Sequence, residues 1–86
     1  MNRFLMQAIV ELAVFVGISD DEIVDPDAAV EQLEQLSMIL KGLTPGERST
    51  FITFIQGMAH AEADDPRAKE RVEFLHSLAE NIGSDD

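Results

Sequence analysis

Eighty-six residues (9.5 kDa) make one small domain, with six Lys and Arg against 17 Asp and Glu, a formal charge of −11 and a pI near 4.3. The absence of cysteine excludes a disulfide framework, a cysteine-ligated zinc finger and a thiol nucleophile. The charge excludes direct binding to nucleic acid or anionic lipid, both of which reward cations, while 45% hydrophobic residues supply a core despite the acidity.

In chain order, the first expected element is a helix over about residues 3–16. Its polar residues Arg3, Gln7 and Glu11 recur every four positions, one narrow polar stripe on an otherwise apolar helix. Such a helix is either central to the bundle or covered by another chain. Glu11 interrupts the apolar run and no small-residue cleavage site follows, so the segment does not read as a signal peptide. It also falls short of the roughly 20 apolar residues of a spanning helix, and the expected compartment is the cytoplasm.

Gly17 is expected to end this helix, and Ser19-Asp20-Asp21-Glu22 reads as a capping box opening a short extra helical turn near residues 19–24. Asp25-Pro26 then starts a second helix over about 26–41, with Asp25 as N-cap and Pro26 in the first turn. Ala29, Val30, Leu33, Leu36 and Leu40 form its apolar face. Gly42 fits a left-handed C-cap with Leu43 packed back on Met38. Thr44-Pro45-Gly46-Glu47 is a T-x-x-E box opening a third helix over about 45–63, whose core face carries Phe51, Phe54, Ile55 and Met58. Gly57 inside it is tolerable if another helix passes close. Asp65-Pro66 opens a fourth helix over about 66–82, with Val72, Leu75, Ala79 and Ile82 inward, and Ser84-Asp85-Asp86 is a polar tail. The fold expected is all-α, a compact four-helix bundle forming a single domain over residues 1–86.

Motifs for catalysis are sparse. A calcium loop over Asp20–Glu31 lacks its central glycine, having Asp25 at that position and Pro26 after it. Glu73 and His76 have the E-x-x-H spacing of a di-iron site, but the second such motif is missing. No nucleophile elbow and no phosphate-binding loop is present. Arg67, Lys69 and Arg71 alternate with Glu70 and Glu73 and read as a salt-bridged helix face. No enzyme activity, cofactor or metal is expected.

Charge distribution is more informative. No basic residue lies between Arg3 and Lys41, an interval with eight acids. Seven of them, Asp20, Asp21, Glu22, Asp25, Asp27, Glu31 and Glu34, sit in one loop and the helix after it. This is either a solvated surface that aids solubility or a docking patch for a cationic partner, with Glu62, Asp64 and Asp65 as a second patch. The surplus of apolar residues on the first helix, with Met38, Ile39 and Ile52 at the margins of theirs, leaves two readings open, additional core or a self-association surface.

Leu33-Glu34-Gln35-Leu36, Leu43-Thr44-Pro45-Gly46-Glu47-Arg48, Phe51-Ile52-Thr53-Phe54-Ile55, Ala59-His60-Ala61-Glu62, Glu73-Phe74-Leu75 and Asn81-Ile82-Gly83 follow one another over about residues 30–83. This pattern resembles the small acidic helical immunity proteins of bacterial polymorphic toxin systems, the Rhs, contact-dependent and type VI secretion class. The first helix lies outside the pattern, and Pro66, Arg67 and Lys69 dilute the acidic stretch that usually follows the third. The resemblance implies a non-catalytic protein that binds a cognate basic toxin domain and occludes its active site. The alternative is a helical structural or regulatory module, homodimeric through its first helix.

Overall fold

The computed structural model describes residues 2–83, and in them four helices follow one another: α1 (Arg3–Ile18), α2 (Pro26–Leu40), α3 (Pro45–Glu62) and α4 (Lys69–Gly83), with a single 3-10 turn (Pro66–Ala68) before the last. The expected all-α bundle is what the chain forms. The Ser84–Asp86 tail lies outside the described residues.

The center of the bundle is the α3–α4 pair, whose mutual contact is by far the most extensive. Phe51 and Ile55 of α3 and Leu75 and Ile82 of α4 are completely buried, joined by Val10 of α1. α1 packs mainly on α2 and α4. Its inward stripe is Met6, Val10, Ala13 and Val14, so it is neither the central helix nor covered all round. α2 is peripheral: Leu40 alone is fully buried, and Leu33 and Leu36 are half-buried against the core.

Local signals hold where side chain and backbone close a bond within the same turn. Asp25 accepts from the Ala28 N–H at 3.0 Å and caps α2. The capping box of α3 is complete: Thr44 Oγ1 accepts from the Glu47 N–H at 3.1 Å, and Glu47 Oε1 accepts from the Thr44 N–H at 3.0 Å.

Four expectations are corrected. The Ser19 box does not form, and the short helical turn near residues 19–24 is closed from Asp20. Ser19 instead closes α1, donating through both its N–H and its Oγ to the Phe15 carbonyl. Asp20 organizes the following turn, accepting from the Ile23 and Val24 N–H groups at its carbonyl and from the Glu22 N–H at its carboxylate. Gly42 is not left-handed, since no described residue has positive φ. α2 tightens into 3-10 bonds, Gly42 to Ile39 and Leu43 to Leu40. Arg48 Nη2 donates to the Lys41 carbonyl at 2.8 Å, which satisfies one of the orphan carbonyls at the end of α2. Met38 is 73% exposed and Leu43 packs on the core, so Leu43 does not bury Met38. Gly57 faces open space rather than a crossing helix. α4 begins at Lys69, three residues later than expected, because Asp65 accepts from the Arg67 N–H and the chain makes one 3-10 turn first.

Gly17 also has a different role from the one expected. α1 runs through it to Ile18, and a Cβ there would lie 2.1 Å from Phe74 Cε2. Its bare Cα lets the Phe74 ring of α4 approach the α1 backbone. Opposite outcomes follow for two glycines inside helices. Gly57→Ala, in open space, is expected to raise stability by up to about 1 kcal/mol. Gly17→Ala gains the same propensity but displaces a packed ring, and a net loss of about 1–2 kcal/mol is expected. Thermal and urea unfolding of the two variants check this.

The cap predicts a pH dependence. The Thr44 backbone N–H, and then its side chain, hold the Glu47 carboxyl below its ordinary value of 4.5. A depressed folded pKa stabilizes above the unfolded value, and the contribution is lost as pH falls through the folded one. Thr44→Ala should cost about 1 kcal/mol at neutral pH, and Glu47→Gln, which removes the titrating group, should flatten the acid limb of the stability profile in urea unfolding between about pH 3 and 7.

Candidate functional site

At 3.6 residues per turn, Asp27, Glu31, Glu34 and Met38 form a stripe on α2 opposite its inward Leu33, Leu36 and Leu40, while Ala28, Gln32, Gln35 and Ile39 form the stripe beside it. All eight are exposed. The structure shows which flank faces α1: a groove of about 160 Å³ is lined by Leu12, Ala13 and Val16 of α1 and by Gln32, Leu33 and Leu36 of α2. The uncharged flank borders this groove, and the acidic flank looks away from it.

Asp27, Glu31 and Glu34 have no ion-pair partner among the described residues. Asp20, Asp21, Glu22 and Asp25 are exposed on the connection that leads into α2. Asp20 and Asp25 accept backbone hydrogen bonds through side-chain oxygens, so part of each carboxylate is engaged locally. Negative charge also follows directly on the C-terminus of α1, which has no basic residue in its last turn, a placement that the helix dipole disfavors. Seven acids thus lie on one loop and one helix without an ion pair among the described residues.

The second group expected to dock a partner is differently placed. Glu62 is half-buried and bonded to Arg71, whose Nε lies 2.8 Å from Oε1 and 3.0 Å from Oε2. Asp65 caps the 3-10 turn and pairs with Arg67 at 3.3 Å. Asp64 alone of this group is exposed without such a bond. Glu62 and Asp65 therefore serve the fold.

Arg71 was expected on a salt-bridged face of α4 with Glu70 and Glu73. Its partners lie on other helices: Nη2 donates to Glu11 of α1 and Nε to Glu62 of α3. The Glu11 bond, and then Glu62, hold the guanidinium above its already high ordinary pKa against the cost of burial. The available signal was Glu11, the lone acid on an otherwise apolar helix. Its partner was unreadable because it lies 60 residues away.

Glu73 and His76 are both exposed on α4, and His76 lines a shallow depression with Ile52, Gln56, Ala79, Glu80 and Gly83. Among the described residues no three His, Asp or Glu side chains are grouped to hold a metal ion, and no helix is long and apolar enough to cross a membrane.

No family model, curated protein or solved structure matches this chain.

Arg71 links three helices at partly exposed sites, so a neutral replacement of its length should lose more than a surface pair does. Arg71→Met is expected to cost about 1–2 kcal/mol by stranding Glu11 and Glu62. Glu11→Gln combined with Arg71→Met should cost less than the sum of the single changes, a double-mutant cycle readable by urea unfolding.

Proposed function

We propose that this chain is a non-catalytic binding protein whose acidic loop and α2 flank engage a basic protein domain, acting as an immunity protein that neutralizes a bacterial toxin in the cytoplasm. The observation that carries this reading is the set of seven acids, Asp20, Asp21, Glu22, Asp25, Asp27, Glu31 and Glu34, exposed together on one loop and one helix flank without an ion pair among the described residues. Concentrated like charge costs folding stability through self-repulsion, and a basic partner offsets that cost on binding. Steering by such a surface speeds association, while apolar neighbors such as Met38 and Val30, both exposed beside the acids, supply contact energy. A toxin that cleaves nucleic acid has a basic cleft of the sign required, and occlusion of that cleft is inhibition without chemistry on the inhibitor's side. The second patch contributes through Asp64 alone, because Glu62 and Asp65 are committed to Arg71 and Arg67.

Affinity capture from the native host at low and at high salt tests this. The expected result is one basic domain recovered near 1:1, reduced by salt and lost when Asp27, Glu31 and Glu34 are all changed to Lys. These three positions neither cap a helix nor form an ion pair among the described residues, so the triple variant should keep its helix content. With the purified partner, its association rate should fall by about 10-fold or more at low salt. An unchanged rate would remove the acidic flank from the interface.

A further inference from the structure

We propose that the outer face of α1 is an interface between two copies of this chain, paired antiparallel about a twofold axis that passes between Ala8 and Leu12. Phe4, Leu5, Leu12 and Phe15 are 69%, 62%, 67% and 54% exposed, and Ala8 lies exposed among them. Leu5, Ala8, Leu12 and Phe15 are spaced 3-4-3, the seam of a coiled coil, whereas the inward stripe of the same helix is Met6, Val10, Ala13 and Val14. α1 therefore has two apolar faces, and the bundle uses one.

Three observations select a second copy as the occupant. First, the face is uncharged in a chain of formal charge −11. It continues across the α1–α2 groove onto Ala28, Gln32, Gln35 and Ile39, again without charge, while Asp27, Glu31 and Glu34 occupy the far flank and Glu11 is drawn aside to Arg71. Two strongly acidic molecules can meet only where neither presents its acids. A basic partner would take the other flank.

Second, the face is self-complementary when antiparallel. Leu5 of one copy then faces Phe15 of the other, and Ala8 faces Leu12, so the small side chain receives the large one. Arg3 is exposed at the start of α1, its guanidinium 5.3 Å from the Phe4 ring centroid, with no carboxylate partner among the described residues. Antiparallel pairing brings it toward Asp20, Asp21 and Glu22 at the far end of the second copy's α1, where the helix dipole also lacks a cation. Parallel pairing would place the two acidic turns side by side.

Third, the area suffices. The four large side chains of α1 leave on the order of 500 Å² in solvent. Ala8, Gln32, Gln35 and Ile39 extend this toward the roughly 800 Å² that each partner gives to a stable interface.

The interface leaves the acidic flank of α2 open and touches the acidic surface only at Asp20, Asp21 and Glu22, and salt distinguishes the two. Self-association must overcome repulsion between like-charged molecules, so raising salt from about 20 to about 300 mM should strengthen it, the reverse of its effect on a basic partner. Sedimentation equilibrium of the full chain at about 100 µM should give twice the 9.5 kDa chain mass. Leu12→Glu, and separately Phe15→Glu, should raise the dimer dissociation constant by about 100-fold while circular dichroism keeps the helix signal. The chain has no cysteine, so single cysteines report register. An equimolar mixture of the Ala8→Cys and Leu12→Cys variants should oxidize mainly to the mixed dimer.

A monomer at both salt concentrations, or a dimer that neither glutamate variant weakens, overturns the interface. Cross-links dominated by Ala8→Cys with itself overturn the antiparallel register. Since none of these measurements involves a toxin, their failure leaves the acidic flank untouched, and failure of the capture experiment leaves the dimer untouched.

Discussion

One guanidinium holds the relative rotation of three helices. Arg71 of α4 donates to Glu11 of α1 and to Glu62 of α3. α1 is so apolar that hydrophobic burial by itself discriminates poorly among its faces, since turning the helix about its axis exchanges one set of valines and leucines for another. Glu11 is the feature that breaks this near-degeneracy. With its carboxylate drawn toward α4, Met6, Val10, Ala13 and Val14 face the core, and Leu5, Leu12 and Phe15 are left outside. Phe74 against the bare Cα of Gly17 reinforces the same rotation two turns on. A polar contact and a steric one thus decide together what hydrophobicity leaves open.

The same rotation separates the surface into regions of different electrostatics. The uncharged outer face of α1 continues onto the Gln32 and Gln35 side of α2, while the unpaired carboxylates of α2 look away. A surface with −11 distributed evenly would offer no neutral approach to another molecule of its kind. Segregation permits two kinds of contact at once, a salt-weakened one with a cationic partner and a salt-strengthened one between copies. The peripheral position of α2, with Leu40 its only fully buried side chain, keeps both of its flanks accessible.

Much of the fold was legible because its signals are local. Asp25-Pro26 and the Thr44/Glu47 box mark helix starts through hydrogen bonds spanning three residues, and both appear in the structure as the sequence implies. The failures share one cause. Ser19, Gly42 and Gly57 each suggested a local device that a neighboring element made unnecessary or did not supply. Ser19 bonds back to Phe15, Arg48 from α3 takes up the Lys41 carbonyl, and no helix crosses at Gly57. Of the expected docking residues, the run from Asp20 to Glu34 stays exposed, whereas Glu62 and Asp65 are bonded within the chain, a distinction that depends on where Arg71 and Arg67 lie.

What the sequence determined by itself was helical periodicity, most helix starts, a strongly acidic charge concentrated between Arg3 and Lys41, and a surplus of apolar residues on α1. These depend on residues within a few turns of one another. Tertiary structure decided which face of α1 is left open, which carboxylates are free, and that the neutral and acidic flanks of α2 point in different directions. Each of those depends on a contact across tens of residues, such as Glu11 with Arg71 or Gly17 with Phe74, and such contacts exist only once the helices have packed.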